Sequence, residues 1–461
     1  MADPPRPGPA PRVRLPGPSP AVRQFLATEA GSAALLLAAT VLALVWSNSP
    51  FSASYHQLWE ATASIDLAGA GLEMSLRHWV NDGAMALFFL VVGLEITREV
   101  STGELRDRRT VAVPALGAVG GLTVPALVYL LFNPGGPAAH GWGIAMSTDT
   151  AFVVGVLALF GPRCPDRLRL FLLTLAIVDD IGAITVMAVF YSDGLVPQAL
   201  AAAGAVAVGI ALMRQLGVWG LSPYAVAGVL LWLCVYVSGV HATLAGVLIG
   251  LLIPVSAARQ EDVEATQAYG RALREGPTAD RVNLAVMSAR STVPANARLT
   301  RVLHPWSAYL VVPVFGLANA GVPLDADTLA QAATSSVTIG VAVALVVGNA
   351  VGITAASALA LRTGWGVLPG GVRYIHLLGG ATLAGIGFTI SLFIATLAFD
   401  DELLRNEAKI GILVGSLVAA VVGSVVLRTL GERTSLCSPA ADTDGLPSLP
   451  PRPWYEPGRA G

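Results

Sequence analysis

Two adjacent carboxylates, Asp179 and Asp180, stand in the middle of an otherwise apolar run from Leu170 to Tyr191. An ionised side chain at that depth costs about 2.5–3.5 kcal/mol on membrane-insertion scales, and such groups normally face a bundle interior or a water-filled cavity. Neighbouring residues on a helix point about 100° apart, so one carboxylate can line a cation cavity while the other turns to a partner helix. The plainer alternative is a pair of acids that bridge helices through hydrogen bonds.

A second polar cluster, Ser147-Thr148-Asp149-Thr150, follows Gly141-Trp142-Gly143 inside another apolar run. Three hydroxyls beside one carboxylate suit a locally unwound stretch whose oxygens hold a hard cation. An aspartate that only caps a broken helix fits the same residues. A third run, Gly379 to Thr389, holds four glycines and two threonines in eleven residues, the pattern of an interrupted span or of close helix packing. Together these parts describe an exchanger. Desolvation and a like-charged neighbour both penalise an ionised carboxylate, whereas a small monovalent cation stabilises it, so cation and proton compete for one site. If the site changes sides only when loaded, exchange results.

Membrane-spanning helices must position these groups. The 461 residues are 54% hydrophobic and only 13% charged, against about 25% in a typical soluble chain, which excludes an ordinary water-soluble enzyme. A net charge of -2 gives no global excess that would attract nucleic acid. Cys164, Cys234 and Cys437 are too few and too scattered for a disulfide framework or a metal cluster.

Twelve apolar segments are predicted, near 30–46, 79–97, 110–132, 138–160, 168–191, 196–213, 222–237, 240–254, 302–321, 336–361, 373–399 and 407–428. Segments 7 and 8 are divided on length, since one helix from Leu221 to Pro254 would run about 50 Å against a hydrocarbon core of about 30 Å. Ser238-Gly239 supplies the turn. The expected fold is thus an all-α polytopic membrane domain over 29–430 with twelve transmembrane helices. Segments 3–5 and 10–12 are the candidate inverted repeats, and segments 4 and 11 the two crossing broken helices. The Pro-rich ends, 1–28 and 431–461, read as disordered cytoplasmic tails, and no cleavable signal peptide is evident before segment 1.

Cytoplasmic loops carry the excess of Lys and Arg. With both termini inside, 25 of the 28 basic residues fall on the cytoplasmic side and only Arg77, Arg405 and Lys409 outside. One early span more or less would destroy that split. Residues 63–75 read as an extracytoplasmic β-hairpin, whose open edge can pair with a second copy. The cytoplasmic loop 255–301 mixes charges with alanines and suits a surface helix.

Several blocks in order resemble the bacterial NhaA family of sodium/proton antiporters, itself a known instance of an inverted-repeat fold. They are Phe88-Phe89-Leu90-Val91-Val92-Gly93-Leu94-Glu95, Ser147-Thr148-Asp149, Ala176-Ile177-Val178-Asp179-Asp180, Ser238 to Gly246, His304-Pro305-Trp306, Phe315 to Gly321 and Gly385-Ile386-Gly387-Phe388-Thr389. The resemblance, from about Glu29 to Arg428, implies a secondary transporter of the bacterial inner membrane, not an enzyme. It would extrude Na+ (or Li+) against H+, serve sodium and pH homeostasis, and need no cofactor. It implies that Asp180 is the main cation and proton ligand, that Asp179 is its partner in holding Na+, and that Thr148 and Asp149 line the crossing of the broken helices. It makes the hairpin a homodimer contact and membrane lipid a further partner.

The chain departs from that family in two places. Asn349 stands where the family's tenth helix usually carries a lysine paired with the first acid of the doublet. Asparagine can hydrogen-bond but cannot neutralise Asp179, which puts the usual electrogenic stoichiometry in doubt. Glu95, Arg98, Glu99 and His304 stand in the family's pH-sensing region, but Ala297, Thr300 and Arg301 occupy positions where it often has Lys, Glu and His. A helix-end salt bridge between Glu95 and Arg98 explains the first two equally well. His241 is either a satisfied buried histidine or a further switch.

Three other activities share some features. A sodium-coupled symporter has no need of a proton-titrating doublet, and neither has a passive channel. An intramembrane aspartyl protease needs acids on facing helices and a Gly-x-Gly-Asp signature, which is missing here.

Overall fold

The computed structural model describes residues 29–67, 70–102, 108–160, 166–192, 194–216, 218, 220–255, 260–276, 278–366 and 374–430. The predicted disordered ends, 1–28 and 431–461, lie outside the described residues, as does the hairpin's turn at 68–69.

Each of the twelve apolar segments contains helix. Among the described residues six helices are long and apolar enough to cross a bilayer, or eight if each of two bent pairs counts as one span. The segments that miss this threshold do so for visible reasons. Segment 4 is broken into Pro137–Met146 and Thr150–Phe160, and segment 8 is the ten-residue helix Thr243–Leu252. Segment 9 begins with the polar stretch Ala295–Trp306 before the apolar Val312–Asn319. Segments 7 and 8 part at Ser238-Gly239, where Gly239 has φ +80°, a left-handed conformation that glycine adopts without penalty.

The hairpin consists of β1 (Thr62–Leu67) and β2 (Ala70–Ser75), antiparallel, with Thr62 opposite Ser75 and Leu67 opposite Ala70. It leads directly into segment 2, in which a π-helical turn, Trp79–Ala84, precedes the helix Met85–Thr102. The 255–301 loop contains two helices, Gln260–Glu275 and Ala279–Ser291, where one was expected. The second is capped by the Thr278 hydroxyl, which accepts from the Arg281 N–H.

Small residues set the spacing of the bundle. A Cβ on Gly120 in segment 3 would lie 2.2 Å from the Gly352 carbonyl oxygen in segment 10, and a Cβ on Gly352 would lie 2.2 Å from the Gly120 carbonyl. The two backbones touch there, which only glycine permits. The largest core cluster joins Phe89, Phe315 and Phe393 with Ile144, Met187 and Leu345. Segments 2, 4, 5, 9, 10 and 11 therefore converge on one buried region.

Candidate cation site

The two interrupted segments meet at their breaks. Segment 4 leaves its 3-10 half at Met146, passes through extended Ser147 (φ -110°, ψ 149°) and resumes at Thr150. Segment 11 consists of Tyr374–Ala384 and Phe388–Ala398, bent by 44°. Breaks of this kind strand backbone groups, each costing about 1–3 kcal/mol if buried without a partner. Here the breaks satisfy one another. The Asp149 N–H donates to the Ile386 carbonyl at 2.6 Å, the Thr148 hydroxyl to the Ala384 carbonyl at 2.9 Å and the Ser391 hydroxyl to the Ile144 carbonyl at 2.6 Å.

The Asp149 carboxylate serves both downstream half-helices. Oδ1 accepts from the Phe152 N–H at 3.1 Å, while Oδ2 accepts from the Thr389 N–H at 3.1 Å and its hydroxyl at 2.6 Å. One carboxylate therefore stands at two helix N-termini and caps both.

Asp179 and Asp180, on the helix Asp166–Phe190, diverge as adjacent helical residues must. Asp179 is 1% exposed, and its Oδ2 accepts from the Thr148 N–H at 2.8 Å. Asp180 is half-buried and lines a cavity of about 300 Å³ together with Thr148, Asp149 and Glu95. Among the described residues, Oδ1 of Asp179 and Oδ1 of Asp180 have no hydrogen-bond partner. Oxygens of Asp180, Asp149 and Thr148 thus share one cavity, a donor set suited to a hard monovalent cation.

Asn349 directly follows a π-helical turn, Ala344–Gly348, in segment 10. Its Nδ2 donates to the Ala145 carbonyl at 3.3 Å and the Leu345 carbonyl at 3.2 Å. It thus satisfies a carbonyl at the C-terminal end of the first half of segment 4, and its bonds go to backbone and not to Asp179.

Over residues 23–427 the chain matches the sequence profile of the family described as Na+/H+ antiporter 1. The chain belongs to that antiporter family. Na+/H+ antiporter 1 proteins are secondary transporters, not enzymes. Among relatives of this antiporter, the Na(+)/H(+) antiporter NhaA 3 of Frankia alni is 66% identical over 454 residues, covering 98% of each chain. The Na(+)/H(+) antiporter NhaA of a Janthinobacterium species is 44% identical over 419 residues, 87% of this chain and 91% of the other. The NhaA 1 protein of a Mycobacterium species is 45% identical over 401 residues, but the match spans only 65% of its length.

In this antiporter the same cavity also receives four of the five candidate pH-sensing residues, Glu95, Arg98, Glu99 and His304. The ion pair found there joins Arg98 Nη2 to Glu99 Oε1 at 3.5 Å. His241 is elsewhere. It lines a second cavity of about 330 Å³ at the opposite end of the bundle, where its Nε2 hydrogen-bonds with the Tyr191 carbonyl. Asp180 does not line that second cavity. Phe393, on its wall, packs against Phe89 and Phe315 with ring centroids 5.7 and 6.3 Å away, while Ile390, one turn earlier, lines the first cavity. Phe393 does not line the first cavity.

Two contributors carried little signal in the sequence. Thr389 was visible as part of a glycine-rich run, but its bonds to Asp149 span 240 residues. Tyr191 accepts from the Gly143 N–H at 3.1 Å and donates to the His140 carbonyl at 2.7 Å, bracing the first half of segment 4 from the end of segment 5. No spacing rule links residues so far apart.

Proposed function

We propose that the chain exchanges Na+, or Li+, for H+ across the bacterial inner membrane, extruding sodium with the proton gradient as the driving force and so serving sodium and pH homeostasis. One observation carries this reading: Asp180, Asp149 and Thr148 line one cavity together with Glu95 and Glu99, and none of them lines the second cavity at the other end of the bundle. A site accessible from one side at a time is what exchange requires. Na+ enters the acidic cavity and binds the ionised Asp180, with Asp179, Asp149 and Thr148 as the remaining oxygen donors. Protonation of Asp180 from the other side displaces it.

Several finer features belong to the same proposal. The segments cross the membrane twelve times with both termini cytoplasmic, so the Asp180 cavity faces the cytoplasm. Support comes from the alternation of ends: segment 2 runs from Ser75 at the second cavity to Glu99 at the first, and segment 5 runs back from Leu170 to Tyr191. Segments 3–5 and 10–12 form inverted repeats, a reading favoured by the paired breaks in segments 4 and 11 and by the reciprocal contact of Gly120 with Gly352. Asp179 is held protonated in the resting state, because Asn349 gives it no countercharge, and this lowers the ratio of protons to sodium. Glu95, Arg98, Glu99 and His304 set the pH response at the cytoplasmic mouth. Two copies embedded in membrane lipid pair through the extracytoplasmic hairpin edge.

The test is competition. If one carboxylate serves both ions, the KM for Na+ rises as pH falls, approaching tenfold per pH unit (about 1.4 kcal/mol) once protons dominate. A KM independent of pH, with only the maximal rate changing, would point to separate sites.

A further inference from the structure

Lys409 is the only lysine in the chain. It lies in the long helix Glu402–Leu430, is 4% exposed, and lines the second cavity, the one that Asp180 does not reach. Arg77 and Arg405 line it as well. These are the same three basic residues that the charge distribution leaves on the extracytoplasmic side, and they come from two distant parts of the chain. Their convergence on one cavity gives it a definite field. Three basic side chains share the cavity with two carboxylates, Asp82 and Asp400, and Asp82 Oδ2 is already 3.3 Å from His78 Nε2. The first cavity has the opposite balance, with Glu95, Glu99, Asp149 and Asp180 against Arg98. Among the described residues no salt bridge involves Lys409.

A charged cleft with low-dielectric walls changes the local concentration of an ion by a factor of about 10 to 10³. The acidic cavity gathers sodium, and the basic one repels it. We propose that Lys409, with Arg77 and Arg405 beside it, forms an electrostatic valve on the extracytoplasmic side that holds external Na+ away from the site and so suppresses the reverse, sodium-importing direction. This rests on the antiport reading above and adds to it a residue that sets how readily external Na+ fills the outward-facing site. The field acts alike on Na+ and H+, so it leaves the exchange equilibrium untouched. It raises the external sodium concentration at which the outward-facing site half-fills.

The experiment compares membrane vesicles of the two orientations carrying the full chain as wild type, Lys409→Gln, Lys409→Met and Lys409→Arg. Sodium-driven proton movement is followed with a pH-sensitive dye. In right-side-out vesicles, Lys409→Gln and Lys409→Met are expected to lower the KM for external Na+ about three- to tenfold, and Lys409→Arg to stay near wild type. In everted vesicles, which present the cytoplasmic face, all four are expected to share one KM. An unchanged external KM in both neutral variants would overturn the proposal. Equal shifts on both faces would do so too, as would loss of exchange in both directions, because each makes Lys409 part of the transport step or of the fold. Absence of sodium-driven proton movement in the wild type would instead sink the antiport reading itself.

Discussion

The carboxylate of Asp149 accepts both the backbone N–H and the hydroxyl of Thr389, 240 residues away, and so ties the break in segment 4 to the break in segment 11. This contact makes the crossing one unit, because the carboxylate that caps its own half-helix at Phe152 also caps the half-helix that begins at Phe388.

Asp149→Ala should therefore uncap two helices at once and cost about 2–4 kcal/mol, read as a fall in melting temperature of the detergent-solubilised protein. Thr389→Val, which removes only the hydroxyl and keeps the N–H, should cost about 1–2 kcal/mol. If the two variants melt alike, the double cap is not what holds the crossing.

Gly352→Ala should separate segments 3 and 10, because its Cβ would stand 2.2 Å from the Gly120 carbonyl. Backbone cannot give way as a flexible side chain can, so a loss of about 2–3 kcal/mol is expected. Alanine at Gly204, which has nothing within 4 Å, is the control and should be neutral. Equal melting temperatures for the two variants would show that the helices are not in contact there.

The two acids of the doublet should respond differently to substitution. Asp179→Asn keeps an oxygen that can accept from the Thr148 N–H, and it mimics the protonated form assigned to Asp179, so exchange should survive with its ion ratio unchanged. Asp179→Ala should reduce transport by about tenfold or more through the lost bond to the unwound stretch, an effect of about 1–3 kcal/mol. Abolished exchange in Asp179→Asn would mean that this acid must ionise during the cycle.

Asn349→Lys would place an ammonium at the end of the first half of segment 4, beside the Ala145 carbonyl. With a countercharge restored, Asp179 could ionise and take up its own proton in each cycle. The ratio of protons to sodium, measured from the reversal potential in proteoliposomes, should rise above that of the wild type. An unchanged ratio and pH profile would remove Asn349 from the account of stoichiometry.

Much of this arrangement was legible in the sequence. Asp149, Asp179 and Asp180 were conspicuous because a membrane helix tolerates few acids, and Ser238-Gly239 because a single helix across it would overrun the bilayer. The divergence of Asp179 and Asp180 followed from the helical turn alone. Other features depended on contacts that spacing does not encode. The use of Asn349 to satisfy Ala145, the bracing of Gly143 by Tyr191 and the convergence of Arg77 with Lys409 all join residues from distant segments. His241 follows the Ser238-Gly239 turn between segments 7 and 8, at the end of the bundle opposite Glu95, Arg98, Glu99 and His304, as the alternation of twelve spans implies. The loop 255–301 was expected to hold one surface helix, and Thr278, by capping Ala279–Ser291, starts a second.

In the proposed exchange one half-buried carboxylate, Asp180, trades a proton for sodium. The most direct measurement is the collapse of an imposed pH gradient in proteoliposomes when Na+ is added, comparing the wild type with Asp180→Asn and repeating with Li+, K+ and Ca²⁺. The account predicts collapse by Na+ in the wild type across neutral to alkaline pH and none in Asp180→Asn. A wild type that leaves the gradient standing, or an Asp180→Asn variant that still dissipates it, would contradict it.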